Sequence, residues 1–537
     1  MPTLTKRLLH YAVYTAAAVV IAISGAALYL RMVIMPNVGQ YKADIEALAG
    51  NAIGIPLRIG SIEADWWGLN PRFSLRQVRL QQTGPDAPLS LSRVDATLSW
   101  LSLFVWDARL TSLALYEPTL EVRRDSSGTI YVADIPVNKP GPRSPFPDWL
   151  LRQRYVLVSD GILSWQDDLI GAPPLVLNKV NLILRNRGDK HQLGVTAQPP
   201  RDSVRDLDIR AELFGASLQQ PQGWNGRVYL RADGASVHAL NRWAPWAQEQ
   251  VRQGQGDVRF WLDLNKGQIT GLTGDVRLNN VAVSLAQDHP DMVFSAVSGR
   301  LGWSRNRDLH TVLAHGLSFT PVGGRSMEPT SVRVQTRIAP DGKLTLTGAR
   351  AEKLRIEALT ALSAAIPMPK PMHDWLDTHR PQGYIENAEL EWESARKYRL
   401  TASFVDAGMI GQAAFPGFAG LNGRIVATGS GGEAQFNARR LDLQLDRVFR
   451  HPLSFNDFAT DLVWERLSDT GLRLKIGETR LTNADLDATT QGSIELHPER
   501  SPSWTFRPTL REARAMRSGA ICRSRSATMP ITGSRSA

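Results

Sequence analysis

From Tyr11 to Leu30 the chain runs almost unbroken through apolar residues, bounded by Lys6 and Arg7 on one side and Arg31 on the other. At 1.5 Å per residue, twenty such residues in a helix cover about 30 Å, the hydrocarbon thickness of a bilayer. The pattern predicts a transmembrane helix over residues 8–32. The positive-inside rule puts residues 1–7 in the cytoplasm and everything after Arg31 across the membrane, with Arg31 weakening the contrast a little. A signal peptide is the rival, with Ser24-Gly25-Ala26 as its cleavage site, but its apolar region normally spans only about 7–15 residues. Pro36 then breaks the helix. Val38, Tyr41, Ile45 and Leu48 recur at helical spacing against Lys42, Asp44 and Glu46, which predicts an amphipathic helix over 37–52 that caps the next domain.

Beyond Ile55 the period changes from helical to two. Phe73 and Leu75, Leu207-Ile209-Ala211-Leu213, Val258-Phe260-Leu262-Leu264, Leu441-Leu443-Leu445 and Leu472-Leu474-Ile476 each alternate with polar neighbours, as strands with one wet face do. Turn residues such as Gly68-Leu69-Asn70-Pro71, Lys266-Gly267, Asp341-Gly342 and Ser430-Gly431-Gly432 separate them. At a typical strand length of 5–6 residues, about 25–30 strands fit between Ile55 and Leu496. Residues 53–138 form a first β segment and 139–147 a Pro-rich linker. Residues 148–506 read as repeated β units with helical inserts near 148–153, 240–250 and 354–378. Each insert precedes a Gly-containing turn and a strand bearing Trp, an uneven repeat. The fold class is therefore mainly β: an N-terminal transmembrane helix, then a long antiparallel meander with short helical inserts.

The net charge of +10 suggests a nucleic-acid partner. It does not survive a look at its distribution. The last 31 residues hold seven Arg against one acid, Glu512, and without them the balance falls to +4. The only cysteine, Cys522, lies in the same stretch, so the body has neither a disulfide nor a Cys-based metal site. No catalytic, cofactor or metal constellation stands out. There is no Gly-x-Ser-x-Gly elbow, no phosphate loop and no His-Glu-x-x-His. His238, His310 and His315 lack metal-ligand spacing with carboxylates. Asp167-Asp168 are adjacent, which on a strand sends them to opposite faces. Gly429 to Gly432 has no helix pattern after it to make an anion cradle. The Trp residues, which could suggest sugar binding, sit mostly at strand ends and in the inserts, where packing accounts for them.

The stretch Met35-Pro36-Asn37, Gly54-Ile55-Pro56-Leu57-Arg58-Ile59-Gly60, Ile62-Glu63-Ala64-Asp65-Trp66, Gly68-Leu69 and Pro71-Arg72 resembles the start of the YhdP-type branch of the AsmA-like family. Asp148-Trp149-Leu150-Leu151-Arg152-Gln153, Gly171-Ala172-Pro173-Pro174-Leu175-Val176-Leu177 and Pro367 to Leu376 resemble the same branch, in the same order, to about Gly492. The resemblance implies an inner-membrane protein of Gram-negative bacteria with one N-terminal span and a long periplasmic β-groove. It also implies a part in moving phospholipid to the outer membrane and in maintaining that membrane's permeability barrier. Members of the branch are typically more than twice this length, so the chain looks like an N-terminal part. With strands about 4.8 Å apart, 25–30 of them would make a groove on the order of 120–145 Å.

From about Arg507 the alternation stops and residues 507–537 become rich in Arg and Ser. Codon degeneracy allows Arg517 to Ser534 to encode, in another frame, a Trp- and Leu-bearing segment better suited to the family. The expectation is a frameshift, which the nucleotide sequence decides; a disordered tail and a basic arm are the plainer readings.

A sheet with one apolar face must cover it, and the sequence leaves two coverings open: a second sheet, or lipid tails in an open groove. The family resemblance favours the groove. The lipid-facing candidates are Val258, Phe260, Leu262, Leu264, Leu441, Leu443 and Leu445. The expected partners are the inner membrane, phospholipid and envelope proteins, with no nucleic acid. An envelope scaffold or outer-membrane protein assembly factor is the competing function. An enzyme acting on cell-wall polymer lacks catalytic residues to support it.

Overall fold

A computed structural model describes residues 2–533 apart from 54–55, 69, 81–89, 101, 103–108, 133–134, 137–145, 219, 244–248, 287, 340–341, 343, 413–415, 446–450, 468–470, 498–499 and 514–531. Most of the Pro-rich linker, the middle of the 240–250 insert and most of the Arg/Ser-rich tail thus lie outside the described residues.

The chain opens with helix α1 (Pro2–Tyr29), extended by a π-helical turn over Leu30–Ile34. Its segment His10–Ile34 is long and apolar enough to cross a membrane, and none of it is buried against the rest of the protein. The short 3-10 turn Val38–Tyr41 leads into α2 (Lys42–Ile53). This helix docks by Ile45 and Ala49 on a core of Leu57, Ile59, Leu75, Val78, Leu80, Leu91 and Val94. Polar contacts fix its angle: Glu46 Oε1 accepts from the backbone N–H of Ile59 at 2.7 Å, and Lys42 Nζ donates to the Gly60 carbonyl at 3.0 Å.

Strands make up 64% of the chain, in a long antiparallel sheet with few helices, so the fold class is mainly β. Among the described residues, twenty-eight strands lie between Leu57 and His497. A further strand, Arg500–Ala513, pairs with Leu486–His497, so regular structure continues six residues past Arg507. Among the described pairings, one strand breaks the antiparallel rule. Tyr155–Asp167 runs parallel to both Leu110–Tyr116 and Thr119–Arg124. A parallel neighbour needs a crossover, and the chain between them includes the linker and helix α3 (Phe146–Arg152).

The chain divides into two compact units, chiefly residues 1–235 with 260–269, and 270–537 with 246–259. In the first, α3 buries Trp149 and Leu151, and beneath it runs a column of buried polar side chains. Gln153 accepts from the Leu110 N–H and donates to the Trp149 carbonyl. Asn186 Nδ2 donates to the Gln153 carbonyl, and its Oδ1 lies 2.7 Å from His191 Nδ1, whose Nε2 meets the Gly215 carbonyl. Gln153 finds a partner for both ends of its amide, which is the condition for a buried polar side chain to stabilise rather than cost. In the second unit the helical pieces are α4 (Val237–Leu240), capped by the Ser236 hydroxyl, then α5 (Ile356–Thr360) and α6 (Lys370–His379). Leu362 and Ile366, between α5 and α6, pack on Val281 and Phe294 at one end of the sheet.

Within each unit a line of bulges interrupts the strands. In the second it passes through Asn280, Gly316, Asn387, Asp406 and Gly420, all at positive φ, with register shifts beside most of them. In the first, Asp160 and Lys179 play the same part in adjacent strands. Neighbouring Asn side chains support these turns: Asn181 Oδ1 accepts from the Asp160 N–H, and Asn422 Oδ1 from the Asp406 N–H. Bulges bend a strand and increase its local twist, so a row of them puts a crease across a sheet.

Gly420 shows how tightly the crease is built. At φ +86° its Cα faces the Arg440 carbonyl oxygen, which an added Cβ would approach to 2.3 Å. Gly316, at φ +59°, has open space around it. Gly420→Ala should therefore cost about 2 kcal/mol or more, whereas Gly316→Asn, suited to the left-handed region, should stay within about 0.5 kcal/mol of the parent. Urea unfolding of the detergent-solubilised chain, followed by circular dichroism, measures both.

Candidate functional site: a half-exposed apolar sheet face

Cross-strand register decides which residues share a face. In the second unit, Leu272 pairs with Trp303, Trp303 with Val312 and Val312 with Val334. Further along, Ala349 pairs with Leu390, Leu390 with Leu400 and Leu400 with Ala427. The row through Ala434, Leu462 and Ile476 continues the pattern. One face is thus apolar from strand to strand. Alternation sends their neighbours to the other face, which is charged: Asp275 pairs with Arg300, Arg350 with Glu389, and Arg473 with Glu495.

The apolar face is not sealed. Leu301 is 40% exposed and Val312 is 48% exposed, although both lie within strands that are paired on both sides. A second sheet packed about 10 Å away would bury them. Among the described residues, parts of the face are closed by α2 in the first unit, and by the α5–α6 segment and the Leu441–Phe455 cluster in the second.

The first unit repeats the arrangement. Val156, Leu184, Leu193, Ala211 and Val228 follow one another across five strands. In strand Val251–Asn265, Trp261 lies 5.3 Å from the Tyr229 ring and Asp263 bonds Arg227 at 2.7 Å, which places both on the polar side. Phe260, Leu262 and Leu264 therefore project to the apolar side, where all three are half-buried. Val258, on the part of this strand that belongs to the second unit, is also half-buried. The other candidates differ among themselves. Leu441 is enclosed with Ala438 and Phe455, Leu443 is half-buried against the same cluster, and half-buried Leu445 follows the end of its strand. The face members Leu301, Trp303, Val312 and Leu390 escaped sequence reasoning. Each belongs to an alternating run, but membership of one common face depends on register.

Beside α6 a cleft of about 910 Å³ is lined by Arg325, Glu357, Arg380, Asp442 and Gln444, with Met409, Ile410 and Phe418. Among the described residues no group of His, Cys, Asp or Glu is placed to hold a metal. Asp167 and Asp168 separate as strand neighbours do: Asp167 is held by Arg124 and Asp168 by Arg123.

On the charged face, hydrogen bonds from Arg300 hold the Asp275 carboxyl below its ordinary range, and Gln192 and Lys190 do the same for Glu212. A depressed folded-state value stabilises the protein above the unfolded value and loses that contribution as the pH falls through the folded one. The melting temperature should therefore drop as the pH is lowered below about 4, and Asp275→Asn should lose less over that range than the parent. Thermal melts at a series of acid pH values check this.

No curated protein and no solved structure matches the chain. The family model described as YhdP protein matches residues 1–519, nearly the whole length. The chain belongs to the YhdP family.

Proposed function

We propose that the chain carries phospholipid between the inner and outer membranes along its apolar sheet face, and so helps maintain the outer-membrane permeability barrier. Membership of the YhdP family supports an envelope protein of lipid-transport type and a non-enzymatic role. In the proposed topology α1 anchors the chain in the inner membrane with its N-terminus cytoplasmic, and the sheet lies in the periplasm.

The observation that carries the proposal is the apolar face that stays half-exposed from strand to strand. Acyl chains would cover it, each CH₂ taken from water contributing about 0.8 kcal/mol. Because equivalent apolar positions repeat at every strand, a lipid shifting by one strand loses and regains similar contacts. Transfer then needs no reaction and no deep pocket, and the charged headgroup stays in water. Phe260, Leu262, Leu264, Leu301 and Val312 are the proposed contacts.

Val312 and Leu313 are adjacent, similarly exposed at 48% and 37%, and on opposite faces. Mass spectrometry of the detergent-purified full chain should find bound phospholipid. Val312→Asp should remove most of it, and Leu313→Asp should leave it in place. A lipid-free parent protein that retains outer-membrane proteins would instead favour a scaffold or assembly role.

A further inference from the structure

The hairpin Ser61–Leu80 carries two adjacent Trp residues at its tip, next to the turn at Gly68. Trp67 is 65% exposed, more than any other large apolar side chain described outside the apolar helix and its π-helical extension. Trp66 pairs with Pro71 and Trp67 with Asn70, so the two rings project to opposite faces of the hairpin. Each has a guanidinium over it. Arg72 lies 5.3 Å from the Trp67 ring centre. Arg31 lies 5.9 Å from that of Trp66, whose ring also meets Trp100 at 6.3 Å.

Arg31 is the link to the membrane. It belongs to the π-helical turn Leu30–Ile34 that directly follows α1, so its contact with Trp66 sets the hairpin tip beside the C-terminal end of the apolar segment. Two donors at this tip are buried without a hydrogen-bond partner in the protein: the indole N–H of Trp66 and Nε of Arg72. Arg72 spends Nη2 on Asp65, at 3.0 Å, while the other Asp65 oxygen accepts from the Trp66 backbone N–H. Exposed Trp flanked by arginines is the chemistry of a membrane interface, where the ring sits among the headgroups and the guanidinium groups meet phosphate and ester oxygens.

We infer that this hairpin tip is a second membrane contact, lying in the phospholipid headgroup layer of the leaflet at which α1 ends. Trp66, Trp67 and Trp100 supply the interfacial rings, and Arg31 and Arg72 meet lipid phosphates. Trp66 shares its face with Ala64 and Ile62, which pair with Phe73 and Leu75 of the apolar side. The contact therefore sets the first strands of the sheet, whose apolar side is closed here by α2, at the bilayer surface. This rests on reading α1 as a membrane span.

Depth-dependent quenching tests the inference on the full chain. In a Cys522→Ser background, single cysteines replace Trp67, Asn70, Tyr14 in the apolar helix, or Glu393 on a hairpin of the second unit. Each variant carries an environment-sensitive fluorophore and is reconstituted into phospholipid vesicles containing lipids spin-labelled near the headgroup. Labels at 67 and 70 should be quenched at least about three times as strongly as the label at 393, as expected for interfacial residues. If position 14 is quenched but 67 and 70 match 393, the membrane span stands and the hairpin contact is overturned. If position 14 also matches 393, the span itself fails and takes the inference with it. Shielding of position 67 in native membranes but not in vesicles would identify a protein partner and overturn the lipid contact.

Discussion

The rest of the structure depends on one constraint: a sheet that is apolar on one side cannot leave that side bare in water unless something else comes to cover it. Here α2 covers Leu57 and Leu75 in the first unit, and in the second the α5–α6 segment covers Val281 and Phe294. Elsewhere in the second unit, positions such as Leu301 and Val312 remain half-exposed. Large exposed apolar surface in a folded protein marks a place where another apolar body sits. The strand-by-strand repetition of that surface makes it suited to a long, sliding apolar chain more than to a compact ligand.

The opposite face answers a different need. A long sheet without a covering layer must hold itself by backbone pairing and by side-chain pairs across strands. Arg300 with Asp275, Arg350 with Glu389, Lys475 with Glu465 and Arg473 with Glu495 run along that side. These pairs are exposed and individually weak, each worth about 0–1 kcal/mol, so their main effect is to keep the face wet and unsuited to lipid. The division of the sheet into a dry and a wet side therefore follows from the period-two alternation, repeated with consistent register.

The bulges reconcile that alternation with curvature. An inserted residue can flip every later side chain, yet Leu278 and Val297, on one side of the crease, pack in the same cluster as Val281 and Phe294 on the other. The extra residue is absorbed at Asn280 and its counterparts in a left-handed turn, which returns the strand to the same face. Non-glycine residues at such positions carry strain of about 1–2 kcal/mol, and the Asn-to-backbone bonds at Asp160 and Asp406 offset part of it.

Much of this was legible in the sequence because the signals are local. Twenty apolar residues with basic flanks determine a membrane-length helix and the alternation after Ile55 a meander of short strands. The spacing of Val38, Tyr41, Ile45 and Leu48 marks a helix but not its packing face, since Tyr41 and Leu48 are exposed while Ala49 packs and Glu46 is buried by its bond to Ile59. The candidates on strand Val251–Asn265 were legible for the same reason, since alternation alone sets Phe260, Leu262 and Leu264 opposite Trp261 and Asp263. Leu441 shows where local pattern stops: it alternates as well as any other residue, but its neighbours close over it. The parallel pairing of Tyr155–Asp167, the Gln153–Asn186–His191 column and the line of bulges join residues far apart in the chain, and no periodicity encodes them. Alternation determined that this protein would have an apolar side. Only register and long-range packing decided which part of that side is filled by the protein itself and which is left for something else.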